Sequence, residues 1–137
     1  MDGSVTPHRV VTAPELPEPI GFAHAVVAAA GTTVHLGGQT AQGPDGSIVG
    51  ASLIEQFDVA AGNVVAALRA AGGRPEHLVS LLIYVTDMQR YRLSLRELAP
   101  VYRKHFGRHY PAVALLGVVE LFDADAQVEL VGTAVVP

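Results

Sequence analysis

Glu129 is the residue whose type and setting most invite chemistry. It is a lone carboxylate in the otherwise apolar run Val128-Glu129-Leu130-Val131, near the end of the chain. A charged group in such a run is either exposed at an edge or held for a purpose. In a partly apolar cleft a carboxyl group is pushed up toward the working pH range, which suits it to move a proton or orient a water. Six histidines, at 8, 24, 35, 77, 105 and 109, raise a metal reading. His105 and His109 are four apart, but Gly107 between them should break the helix that would put both on one face, so no metal site is expected. Serine, histidine and aspartate are all present, yet no Gly-x-Ser-x-Gly elbow supports a nucleophilic triad. Gly37 and Gly38 follow a strand-like segment and leave backbone amides open to close approach. No helix follows them at the spacing of a dinucleotide fingerprint, and taken alone they read more simply as a flexible bend.

The elements that would position these residues can be read in order. Residues 1–19 carry Pro7, Pro14, Pro17 and Pro19 and read as extended chain, with a short edge strand near His8 to Thr12. Ala25 to Ala30 and Thr33 to Leu36, joined at Gly31-Thr32, read as a hairpin. Pro44-Asp45-Gly46 is a turn. Ser52-Leu53-Ile54-Glu55 is a capping box opening a helix with Phe57, Ala60, Ala61, Val64 and Leu68 on its apolar face, closed at Ala71-Gly72-Gly73. Gln56 and Asn63 lie on one face of it and read as solvated. Leu78 to Val85 is a continuous apolar strand of the kind covered on both faces. A second capping box, Ser94 to Glu97, opens a helix with Leu95, Leu98, Tyr102 and Phe106 on one stripe; Pro100 should kink it, and Gly107 ends it. Tyr110 to Leu121 and Gln127 to Val131 read as adjacent antiparallel strands.

That order predicts one α+β domain over residues 1–137, with two helices packed on one face of a mixed sheet. Half of the residues are hydrophobic and only 16% are charged, so a second subunit is expected to cover the other face. The net charge of −4, the scattered basic residues and the absence of Trp argue against nucleic-acid binding. With no cysteine, disulfides and thiolate chemistry are excluded. No apolar run approaches a signal peptide or membrane span, so a cytoplasmic location without membrane association is the default.

Taken together, these features resemble the Rid family, also called YjgF-like, RidA-like or L-PSP, over about Ile20 to Ala134. Ile20-Gly21-Phe22-Ala23-His24-Ala25 falls where the family has Gly-Pro-Tyr-Ser-Gln-Ala, and Leu36-Gly37-Gly38-Gln39 falls on its Ser-Gly-Gln strand end. Val79 to Met88 matches the strand ending in Asp-Met, and Pro111-Ala112 with Val128-Glu129-Leu130 completes the pattern. The resemblance implies a chorismate-mutase-like homotrimer that hydrolyses small imines or enamines in clefts between subunits, without metal or cofactor. It makes Glu129 the residue that positions water and puts Phe22, Gly37, Gly38, Gln89 and Val113 around the ligand; His24, which stands where the family has glutamine, is expected to assist Glu129. Active members carry an arginine where this chain has Val113, and that arginine forks onto the substrate carboxylate. Its absence, with the loss of hydroxyls at Phe22, Ala23 and Gly37, points to a small ligand without a carboxylate. Arg108, Arg90 and Arg92 are the alternative cations, although they read more readily as surface charge on loops and a helix. A binding or regulatory trimer without catalysis is the competing expectation. The ribonuclease activity attached to the L-PSP name fits poorly with the acidic charge balance.

Overall fold

The computed structural model describes residues 6–137. Six strands and three helices follow in the order β1 (Arg9–Val11), β2 (Ala25–Val27), β3 (Thr32–His35), α1 (Leu53–Ala70), β4 (Leu78–Val85), α2 (Met88–Leu93), α3 (Leu95–Phe106), β5 (Ala112–Gly117) and β6 (Val128–Val136). The main sheet is mixed, with strand order β3-β6-β4-β5, and β1 pairs with β2 in a separate ribbon. The α+β mixed sheet with helices packed on it is as the sequence predicts.

Two pairings differ from that expectation. β5 and β6 are not neighbours: β4 lies between them, parallel to β5 and antiparallel to β6. The connection over residues 118–127 is too long to force a tight hairpin, and it carries the chain past the end of β4. There Val118 donates its amide to the Val85 carbonyl and Thr86 donates to the Gln127 carbonyl. The parallel β4–β5 pair in turn needs a long crossover, which α2 and α3 supply. β2 and β3 likewise form no hairpin, since β2 pairs with β1 and β3 pairs with β6.

The core lies between the sheet and α1 and α3. Phe57, Val64 and Leu68 of α1 meet Leu81, Ile83 and Val85 of β4 and Val128 and Leu130 of β6, all buried. Side chains alternate across a strand. Leu82 and Tyr84 of β4 and Glu129 and Val131 of β6 therefore face away from the helices, and all are half-buried. With Leu116, this leaves an apolar sheet face that no helix covers, so β4 is covered on one side only within the chain. No helix among the described residues is long and apolar enough to cross a membrane.

The Ser52–Glu55 capping box forms as expected, the Glu55 amide donating to Ser52 Oγ at 3.1 Å and the Ser52 amide to Glu55 Oε1 at 3.3 Å. The second box does not. Ser94 separates α2 from α3, and its hydroxyl donates back to the Arg90 carbonyl, so it is used up finishing α2 and makes no side-chain cap for α3. Leu95, expected on the buried stripe, is 56% exposed beside a cavity.

Candidate functional site

Glu129 and Gly38 come together on the uncovered side of the sheet. The extension of β3 beyond His35 runs beside β6, where Gln39 and Leu130 exchange both backbone hydrogen bonds, at 2.8 and 2.9 Å. That register lays the Glu129 carboxylate directly over the Gly38 Cα. A Cβ at Gly38 would stand 2.9 Å from Glu129 Cδ and 3.1 to 3.2 Å from its oxygens. The glycine is what lets the carboxylate lie there; Gly37 has open space around its Cα. Among the described residues no group gives the carboxylate a hydrogen bond or an ion pair. A half-buried acceptor left free next to exposed backbone can take a water or a ligand proton.

Two amides of α1 hold the arms of this site, and the sequence reading missed both by taking them for solvated. Gln56 is 2% exposed. Its Nε2 donates to the carbonyls of Gly50 and Asp125, and its Oε1 accepts the Gln127 amide at 2.8 Å, two residues before Glu129. Asn63 donates to the carbonyls of Thr40 and Gln42, both at 3.0 Å, just after Gly38. Loop carbonyls that pass over a helix need donors, and a glutamine and an asparagine two turns apart supply them. An amide on a helix beneath polar loops was the available signal.

The remaining expected residues lie elsewhere. His24 accepts the Ala13 amide at Nδ1 and donates from Nε2 to the Pro17 carbonyl, so both ring nitrogens brace the N-terminal segment. Phe22 packs near it, with ring centroids 6.0 Å apart. The Ala23–Ala112 bridge brings Phe22 beside β5, where it lines a cavity with Val113 on the helix side of the sheet. Val113 pairs with Leu81, whereas Glu129 pairs with Tyr84. The two residues thus point to opposite faces and do not share a cleft within one chain. Gln89 is exposed in the first turn of α2, and Arg90 and Arg92 follow on that helix.

The histidines do not converge on a metal. Among the described residues no three His, Asp or Glu side chains are grouped to hold one. Gly107, at φ 66°, ends α3 and separates His105, bonded to Asp58 at 2.6 Å, from His109. His8, His77 and His109 are buried and tie backbone together: His8 bridges Ala29 and the His77 carbonyl, His77 accepts the Arg74 amide, and His109 donates to the Leu78 carbonyl. Burial pushes His77 and His109 below the ordinary histidine range.

The mixed sheet thus carries, on the face its helices leave bare, a carboxylate with no partner among the described residues, set over a strand-end glycine. The sequence profile of the family described as Endoribonuclease L-PSP matches residues 15–136. The chain belongs to this family, the Rid or YjgF-like group. Among solved structures, YyfB of Yersinia pestis, a protein of unknown function of the Rid family, superposes with TM-score 0.85 at 29% identity, over 94% of this chain and 98% of its own. Mmf1 of yeast is 28% identical with TM-score 0.67, over 93% and 97%. Rv2704 of Mycobacterium tuberculosis, a YjgF-family member, is 28% identical with TM-score 0.64, over 85% and 88%. No curated protein matches the chain.

Proposed function

We propose that this chain is a divergent Rid-family protein that assembles as a homotrimer, folds as one domain and acts on a small imine, enamine or similar electrophile lacking a carboxylate. Glu129 orients the attacking water or moves a proton, and the open backbone at Gly37 and Gly38 faces the developing anion. The observation that carries this reading is the Glu129 carboxylate, without a partner among the described residues and seated against Gly38 on the sheet face the helices leave bare. That bare face, with Leu82, Tyr84, Val131 and Leu116, is where further subunits would pack. Val113, standing where active relatives carry arginine, supplies no fork for a substrate carboxylate, so 2-imino acids should be poor substrates. His24, with both nitrogens engaged, serves here as a brace for the segment carrying Phe22. Gln89, exposed at the start of α2, would reach a ligand only from the mouth of a cleft between subunits.

The test is ammonia release above the uncatalysed rate from a freshly generated imine lacking a carboxylate, set beside 2-imino acids. Turnover of the neutral imine that disappears in Glu129→Gln supports the reading. Fast turnover of the carboxylated imines would overturn the substrate assignment. No turnover of any of them would leave a non-catalytic binding trimer in its place.

A further inference from the structure

Residues 6–29 lie along the rest of the chain as a strap. Within it β1 and β2 pair with each other, in a ribbon apart from the main sheet. Of these residues His8 and Ala23 alone are buried, while Val10, Leu16, Ile20 and Val27 are exposed. A segment that buries so little apolar surface is held by its polar contacts and can open locally without the fold. Thr6 Oγ1 donates to the Glu76 carbonyl at 2.8 Å, and the Ala23 amide donates to the Pro111 carbonyl at 3.0 Å.

Two imidazoles add four more ties, both in the same way. His8 Nδ1 accepts the Ala29 amide at 3.0 Å and its Nε2 donates to the His77 carbonyl at 2.8 Å, fastening the two ends of the strap to the turn Pro75–His77. His24 Nδ1 accepts the Ala13 amide at 3.0 Å and its Nε2 donates to the Pro17 carbonyl at 2.9 Å, closing the proline-rich bend between β1 and β2. A backbone N–H only donates, so each Nδ1 is unprotonated and each ring is the neutral Nε2–H tautomer. His77 repeats the pattern, its Nδ1 accepting the Arg74 amide at 3.0 Å, so the turn that receives His8 is itself closed by a neutral ring.

A second proton on such a ring sets N–H against N–H and removes the bond. Among the described residues neither His8 nor His24 has a carboxylate within ion-pair distance to offset the new charge. The groups around His8 are mostly cationic or able to become so. His77 and His109 are near enough to act on it, Arg9 follows it on β1, and Arg108 lines a cavity with it; Glu76 is already paired to Arg74 at 3.1 Å. His24 has the Phe22 ring against it, and Glu15 and Glu18 of the same segment are exposed. We infer that His8 and His24 are acid-sensitive latches: protonation, in the range where histidine changes charge, frees residues 6–29 while the main sheet and its helices stay folded. The latch bonds are complete while the rings are neutral and are lost as pH falls. Phe22 rides on the strap, so its release would uncover one side of the cavity it lines with Val113. The latch does not depend on the chemistry proposed for Glu129.

The test is amide hydrogen exchange of the full chain at pH 7.5 and about pH 5, corrected for the intrinsic effect of pH on exchange. Residues 6–29, the Ala13 and Ala29 amides among them, should lose protection on the order of tenfold or more, while β4 and β6 stay protected. Nitrogen NMR of the imidazoles at pH 7.5 should show His8 and His24 as Nε2–H tautomers. In a chain carrying His8→Asn and His24→Asn, the side-chain oxygen replaces Nδ1 as acceptor and takes up no proton, so most of the pH dependence of strap exchange should vanish. The wild-type exchange profile and the nitrogen shifts decide the matter even if that variant folds poorly. Equal strap protection at both pH values overturns the proposal, as does an Nδ1–H tautomer at either histidine. So does a loss of protection shared equally by β4 and β6, or a folded asparagine variant with undiminished pH dependence.

Discussion

Replacing Gly38 by alanine separates the position of the Glu129 carboxylate from the stability of the fold. The added methyl would stand 2.9 Å from Glu129 Cδ, against an ordinary contact of 3.4 to 4 Å, so the carboxylate must retreat by roughly 0.5–1 Å. It is the far end of a flexible side chain, and Gly38 is not among the glycines with positive φ, so the backbone accepts alanine. The cost to folding should stay below about 1 kcal/mol. A displacement near 1 Å of a group that orients a reactant costs about a hundredfold in rate, or about 2.7 kcal/mol of barrier. Two neighbours calibrate the result. Gly37→Ala meets nothing within 4 Å and should leave both the stability and the seat of the Glu129 carboxylate unchanged. Gly31→Ala would run into the Val136 backbone, its carbonyl carbon 2.7 Å away, and should lose about 1–3 kcal/mol of stability. The assay is imine hydrolysis alongside thermal melting of all three variants. A Gly38→Ala protein that is folded and fully active refutes the role given to the carboxylate position. One that fails to fold refutes the claim that the side chain can yield.

Gln56→Leu should destabilise the chain by about 3 kcal/mol, measured by urea unfolding, because it leaves the Gln127 amide and the Gly50 and Asp125 carbonyls without their partner. For His77 and His109, whose folded values are depressed by burial, the unfolded chain takes up protons first as pH falls through the ordinary value of 6.5. Their contribution to stability is therefore full above that value and is lost as pH drops below it. The melting temperature should fall between pH 7.5 and 5.5, with a shallower slope in His109→Gln; an unchanged temperature would refute this. A charge on the bare sheet face, Leu82→Glu, should turn a trimer into a monomer in light scattering while leaving the helix content intact. A wild type that is already monomeric at micromolar concentration would remove the basis for that prediction.

Much of the architecture was legible because it is written in local chemistry. Ser52 and Glu55 cap α1 reciprocally, the apolar run Leu78 to Val85 is the central strand, and the α+β class follows from element order. Strand partners were less so. Tyr110 to Leu121 and Gln127 to Val131 look like a hairpin because adjacency in sequence is the one neighbour relation a pattern displays; the insertion of β4 between them depends on a strand that precedes the whole α2–α3 crossover. Glu129 was visible as a charge in an apolar run, yet the contact that seats it requires the register of β3 on β6. Gln56 was misread for a related reason. Helical spacing tells which face a residue occupies, but not that polar loops will pass over that face and need donors.

The Asn63 amide has a consequence for how relatives of this chain can vary in length. It fixes the Thr40 and Gln42 carbonyls, and immediately beyond them the chain closes on itself, Gln42 bridging Ile48 and the Gly43 amide reaching the Ser47 carbonyl. Residues 44–46 form a tip that hangs outside both ties. Insertions or deletions there would not be transmitted to Gly38, so the tip can lengthen, carry a tag or join another domain while the carboxylate keeps its seat. Differences in chain length at this turn then record history, and they are poor evidence that two such proteins handle different ligands.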